Sequence, residues 1–129
     1  MAKSAFPPLA EGQLEIMNFV WNHGEVTVGE VWKTLSARRR VARNTVQTML
    51  LRLKEKGWLH CRTDGHAHRY RAAVPREATL RSMAQRLVDM AFGGSTEGLL
   101  AALLGRRGVS PEEAERIRAL IDQAERKQP

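Results

Sequence analysis

Asn44, Thr45, Gln47, Thr48 and Arg52 crowd into one short stretch and carry amide, hydroxyl or guanidinium groups. An amide pairs with the two hydrogen-bonding groups of an adenine edge. A threonine suits a thymine, and a guanidinium holds a phosphate or a guanine. Arg38, Arg39 and Arg40 stand just before this stretch and Arg43 opens it, so cations flank the neutral groups. The chemistry on offer is recognition of nucleic acid. Catalysis is not expected: there is no glycine-rich phosphate loop and no nucleophile elbow. The carboxylates lie largely in helix caps and in the last helix.

The element that must position these groups is a helix over Val41–Gly57, with residues 42–56 entering a major groove. Val46, Met49, Leu50 and Leu53 recur at i, i+3, i+4 and i+7, an apolar stripe that has to pack on a core. The recognition groups then fall on the opposite face. Gly57 is placed to close the helix as a C′ residue. Ala42 stands where a serine or aspartate N-cap would be expected, which leaves the start of the helix without a side-chain cap.

Upstream, residues 1–8 read as a short polar start with two prolines, expected to fray. A first helix follows over Leu9–Asn22, with Leu14, Ile16, Met17, Val20 and Trp21 at helical spacing and Gly24 as its stop. Thr27 and Glu30 form a capping box that opens a second, short helix to Ser36, with Val28, Val31, Trp32 and Leu35 inward. Ala37–Arg40 is the turn, and the order is that of a helix-turn-helix. After Gly57 the period changes. Trp58–Thr63 and His66–Ala72 read as two strands about an Asp64-Gly65 turn, a basic ribbon of the kind called a wing. Arg62, Arg69 and Arg71 flank its tip, within reach of backbone phosphates.

The charge distribution supports the same reading. The net charge is +7, yet residues 1–35 sum to −2 and residues 72–129 to +1, so residues 36–71 carry +8. A solvated face mixes its signs, whereas a one-sided excess points to a polyanion. Double-stranded DNA fits better than a membrane surface, since no basic amphipathic helix with exposed aromatics is present. No apolar run approaches the roughly 18 residues of a membrane span, and no signal-peptide pattern opens the chain. With Cys61 the single cysteine, a reducing cytoplasmic location is expected.

Val74-Pro75 marks a boundary between a DNA-binding domain, residues 1–74, and a second segment, residues 75–129. Three helices are expected there. The first spans Arg76–Phe92, with Leu80, Met83, Ala84, Leu87 and Ala91 on one face. The second spans Thr96–Leu104 and contains Leu99, Leu100, Leu103 and Leu104. Gly105–Gly108 is read as a loop, and Ser110-Pro111-Glu112-Glu113 caps a last helix carrying Ile117, Leu120 and Ile121. Helices this few and short cannot bury those stripes alone. Leu80, Met83, Leu87 and the leucines and isoleucines just named are therefore expected to form a homodimer interface. The expected fold is mostly α with a small β-hairpin wing: a winged helix-turn-helix followed by a three-helix dimerisation segment.

Two sharper readings compete with plain ones. His60, Cys61, His66 and His68 gather in the ribbon, which keeps open a metal- or thiol-responsive regulator. The spacing lacks any Cys-x-x-Cys or matched pair, so neither metal nor cofactor is expected. Trp21, Trp32 and Trp58 could stack single-stranded bases but sit at apolar positions and read as core. A non-specific architectural nucleic-acid-binding protein is the remaining alternative.

Taken together, several motifs resemble one family. They are Leu9-x-x-Gly-x-Leu-Glu-Ile-Met17, Trp21, the Thr27–Glu30 box, Asn44-Thr45-Val46 through Leu53, and Lys56-Gly57. Asp64-Gly65 with Tyr70, Phe92-Gly93-Gly94 and the Ser110 cap complete the set. In order and spacing the chain resembles the penicillinase-repressor (BlaI/MecI/CopY) family over about residues 8–125. That resemblance implies a dimeric winged-helix repressor of resistance genes with TACA/TGTA-like half-sites in its operator. Asn44, Thr45, Gln47 and Thr48 would be the main contacts, with Arg52 and the wing arginines on phosphates. Copper-responsive members carry paired C-terminal cysteines, which this chain lacks. Other members are inactivated when a membrane sensor-protease system triggers cleavage. The matching bond here lies near Ala102-Leu103, with different residue types.

Overall fold

The computed structural model describes residues 9–128, so the polar start expected over residues 1–8 lies outside the described residues. Its elements run α1 (Glu11–His23), β1 (Glu25–Thr27), α2 (Val28–Ser36), α3 (Arg43–Glu55), β2 (Leu59–Asp64) and β3 (Ala67–Ala72). They continue with α4 (Arg76–Ala91), α5 (Thr96–Arg107) and α6 (Pro111–Arg126). The chain divides into two compact units, residues 1–84 and 85–129, and α4 runs across the division.

In the first unit the core is built from α1, α2, α3 and the sheet. Ile16, Met17, Val20, Val31, Val46, Leu50 and Leu53 are fully buried, joined by Leu35, Val26, Leu59, Tyr70 and Trp58. Burying a side chain of this size stabilises by about 1.5–3 kcal/mol, and every helix of the unit's N-terminal part contributes two or more. The Thr27–Glu30 box forms as expected. Thr27 Oγ1 accepts from the Glu30 amide at 3.2 Å and the Glu30 carboxylate accepts from the Thr27 amide at 2.8 Å.

The sheet has three strands in the order β1-β3-β2, all antiparallel. Only the two wing strands are evident from the sequence. Residues 25–27 add a third by pairing with the outer side of β3, Val26 opposite Tyr70. Three residues are too few to show a strand periodicity, and the pairing partner lies over forty residues away in sequence, so nothing local announces it. Alternation separates two faces. Val26, Leu59, Tyr70 and Ala72 face the core, while Glu25, Arg62, Asp64, Arg69 and Arg71 share the outer face.

Both ends of α3 are held. Its C-terminus closes in a Schellman turn: the Gly57 amide donates to Lys54 O at 3.1 Å and the Trp58 amide to Leu53 O at 2.9 Å. Gly57 has φ 93°, a conformation that strains any residue with a Cβ. At the start, Ala42 gives no side-chain cap, as its sequence implied. The approach is instead fixed by Trp32, whose indole N–H donates to Val41 O at 2.9 Å. Trp21 plays the same part at the end of the wing, donating to Val74 O at 3.0 Å.

In the second unit, Phe92 and Gly94 amides both donate to Val88 O at 3.0 Å, closing α4 where Gly93 and Gly94 take positive φ. Ser95 caps α5 through the Gly98 amide at 2.8 Å, and Ser110 caps α6 through the Glu113 amide at 3.1 Å. One expectation fails here: residues 105–107, read as loop, continue α5 to Arg107. Gly105 is tolerated within a helix at a cost of about 1 kcal/mol, and the real stop is Gly108, with φ 70°. The face of α4 expected at a dimer interface is largely open in the single chain. Val88 is its most buried residue in this unit, while Leu87 is 48% exposed and Ala84 and Ala91 are exposed.

The missing cap at α3 makes a simple stability prediction. Ala42 has φ −79° and ψ 147°, already the extended conformation of an N-cap residue. Ala42→Ser should therefore raise the free energy of unfolding by about 0.5–2 kcal/mol in denaturant titration. An unchanged or lowered midpoint would show that the Trp32 anchor leaves no room for a capping bond.

Candidate nucleic-acid interface

The face of α3 opposite its buried stripe is open along its whole length. Arg43, Asn44, Thr45, Gln47, Thr48 and Arg52 are all exposed, while Val46, Leu50 and Leu53 have no exposure. At about 100° per residue, Asn44, Thr48, Leu51 and Glu55 form the outermost line, with Gln47 on one flank and Thr45 and Arg52 on the other. Arg43 folds back toward α2: a methyl group added at Gly29 would stand 3.4 Å from its guanidinium. The expected recognition groups are thus brought together on one accessible surface.

The arginines of the preceding turn are tethered to α1. Arg38 Nη1 lies 3.3 Å from Glu15 Oε2, and Arg39 Nη1 lies 2.7 Å from Glu15 Oε1. Arg40 is exposed. Surface ion pairs are worth about 0–1 kcal/mol, so these guanidiniums can exchange a carboxylate oxygen for a phosphate oxygen at little loss.

The wing is more tightly organised than its sequence suggested. Arg62 and Arg69 are register partners across β2 and β3, where facing like charges repel. Each is neutralised by its own carboxylate. Arg62 binds Glu25 through both Nε at 2.8 Å and Nη2 at 3.0 Å, and Arg69 Nε lies 2.9 Å from Asp64 Oδ2. The Arg62 hydrogen bond holds the Glu25 carboxyl below its ordinary value of 4.5 and in return raises the Arg62 guanidinium. The pair therefore stays ionised above the ordinary carboxylate range and is lost only as pH falls through the lowered value. Arg71 is exposed and sits opposite Glu25 in the register.

On the inner side, Cys61 Sγ is 3.8 Å from His68 Nδ1, and Cys61 faces Tyr70 across the strands. Burial, more than the nearby Cys61, pushes the Tyr70 phenol up. His60 and His66 are exposed. Among the described residues, no group of three or more His, Cys, Asp or Glu is gathered as metal ligands would be. The three tryptophans belong to the packing: Trp58 is buried, and Trp21 and Trp32 are half-buried with their indole N–H groups engaged.

Three parts of this surface were not read from the sequence. Glu15 and Glu25 are the carboxylates that hold Arg38, Arg39 and Arg62, and their only sequence signal is that the first third of the chain is acidic. Leu51 had a clearer one, a leucine lying off the apolar stripe of its own helix.

A family model described as Penicillinase repressor matches residues 9–123, which spans α1 through most of α6. The chain belongs to the penicillinase-repressor family. It is 25% identical over 117 residues to the penicillinase repressor of Bacillus licheniformis, covering 91% of each chain. It is 33% identical over 118 residues to the transcriptional regulator BlaI of Mycobacterium tuberculosis, covering 88% of this chain and 84% of that one. The methicillin resistance regulatory protein MecI of Mammaliicoccus sciuri is 18% identical over 114 residues, 88% of this chain and 93% of its own. Among solved structures, the DNA binding domain of the repressor BlaI superposes with a TM-score of 0.51 at 34% identity. That match covers 59% of this chain and 90% of the domain. A MarR family protein from Bacillus stearothermophilus shares the fold over 94% of this chain and 76% of its own, with TM-score 0.55 and 19% identity. This penicillinase-repressor family member is thus a BlaI/MecI-type transcriptional repressor with a winged-helix DNA-binding domain. Its named relatives are repressors and regulators of transcription, which are not enzymes. Among the described residues, no single helix is long and apolar enough to cross a membrane.

Proposed function

We propose that this repressor reads a pseudo-palindromic operator as a homodimer, with α3 of each protomer in the major groove of one half-site. The observation that carries the reading is the two-sided α3. Its inner face is fixed in the core, and its outer face offers Asn44, Thr45, Gln47 and Thr48 to base edges with no reorganisation. Arg43 and Arg52 on the helix, Arg39 and Arg40 in the turn, and Arg62 and Arg69 in the wing would hold phosphates and set register. Its targets would be resistance genes of the kind for which the relatives are named.

Residues 75–129 would be the dimerisation segment. Helices α5 and α6 contain no buried residue, and Leu103, Leu120 and Ile121 are 54%, 64% and 50% exposed. Leu87 is exposed likewise, and Leu80, Met83, Leu99, Leu100, Leu104 and Ile117 are half-buried. A helical unit with this much apolar surface in water gains most by pairing with a copy of itself. Two linked reading heads also raise affinity through effective concentration.

Release would follow from opening the same segment. Ala102 and Leu103 are both exposed within α5. Protease sites bind extended chain, so α5 must unwind locally, and a helix with no fully buried residue in its own protomer opens most readily when the protomers part. Cutting there would separate the protomers and lower operator affinity, under the control of a membrane sensor-protease system.

Three outcomes are expected. Gln47→Ala should cost about 1–3 kcal/mol on the operator and little on random DNA, whereas Arg52→Ala should weaken both and flatten the salt slope by about one unit. Identical behaviour of the two variants would refute the division between base reading and phosphate holding, and wild-type affinities for operator and random DNA that fall together with salt would point to a non-specific architectural protein. In sedimentation the chain should run as a dimer, and Leu120→Asp should shift it toward monomer with α3 binding to a half-site retained. A wild-type monomer at micromolar concentration contradicts the dimer. Immunoblots of induced cells should show a shortened chain; an intact chain in derepressed cells excludes cleavage.

A further inference from the structure

Leu51 is 41% exposed, and among the described residues up to Ala84 it is the one large apolar side chain left so. The other exposed large apolar residues all lie between Leu87 and Ile121, on the segment assigned above to a second copy of the chain. That interface does not account for Leu51. Its own helix does not either, since the stripe that enters the core is Val46, Leu50 and Leu53, with Met49 half-buried beside it. Leu51 belongs instead to the outermost line of α3, after Asn44 and Thr48. A helical leucine leans toward the N-terminus of its helix, so its methyl groups lie over the turn that carries Gln47 and Thr48.

A leucine in that line enters whatever the recognition face enters. The edges of base pairs in the major groove are polar with one exception, the 5-methyl group of thymine. Hydroxyls and amides on the same face can satisfy the polar edges, and Leu51 can satisfy none of them. We infer that Leu51 packs against a thymine 5-methyl group in each half-site and sets the base preference at that position. The inference rests on α3 being the operator-reading element.

Deoxyuridine tests it directly, because it keeps the pairing groups of thymine and removes only the methyl. The full-length protein is titrated with the duplex it protects in a footprint, and with duplexes in which single thymines of one half-site are replaced by deoxyuridine. One replacement should weaken wild-type binding about fourfold, the equivalent of about 0.8 kcal/mol for one methyl-sized group. Leu51→Ala, at an exposed position and with a good helix former, should bind the thymine duplex about fourfold more weakly. It should lose nothing further at that same position, while keeping any losses at other thymines. The inference is overturned if no replacement affects the wild type, if Leu51→Ala binds the thymine duplex like wild type, or if it retains every deoxyuridine penalty. Gln47→Ala run alongside separates the two levels. If it loses operator preference while Leu51→Ala does not, α3 reads the operator without Leu51; if neither loses it, α3 is not the reading element.

Discussion

The burial of one side of α3 is the constraint on which the rest depends. Val46, Leu50 and Leu53 are fully enclosed among residues of α1, α2 and the sheet. A helix held by residues at i, i+4 and i+7 cannot rotate about its axis without bringing apolar groups into water. Turning it far enough to expose two leucines would forgo about 3–6 kcal/mol of burial, a large part of the stability of a small domain. The outer face is therefore fixed in orientation by packing that never touches the ligand. On the proposed reading, specificity and stability use different residues of the same helix.

The supports around α3 follow the same division. The Schellman turn at Gly57 leads straight into buried Trp58 and then into β2, so the end of the helix and the start of the wing are one rigid junction. Trp32 fixes the other end through Val41 in place of a cap. The short β1 strand does for the wing what Trp32 does for the helix. Pairing with β3 brings Glu25 to Arg62, which relieves the repulsion between Arg62 and Arg69 on neighbouring strands. The cations are held in ion pairs weak enough to exchange, so the surface is ordered before a polyanion arrives.

Much of this was legible in the sequence where the signal is local. The apolar stripe of α3, the Thr27–Glu30 box, the Gly57 stop and the Ser110 cap are written within single turns of chain, and the structure contains each of them. The family resemblance added what no local rule could, the placing of these elements in one architecture, and the family match bears it out. What could not be read depends on distant partners. β1 exists only because β3 lies beside it, and Glu15 and Glu25 become partners of arginines 23 to 37 positions away. The extension of α5 through Gly105 was missed for a different reason, since glycine marks a stop only when the chain actually takes a positive φ there. Gly108 does so, at φ 70°.

The central claim is that two copies of this outer face read two halves of one site. Hydroxyl-radical footprinting of the full-length protein on the DNA upstream of its own gene tests it most directly. The account predicts protection of two symmetry-related half-sites whose centres lie about 34 Å apart or a little more, on one face of the duplex. A single protected patch, or uniform protection without boundaries, would contradict it.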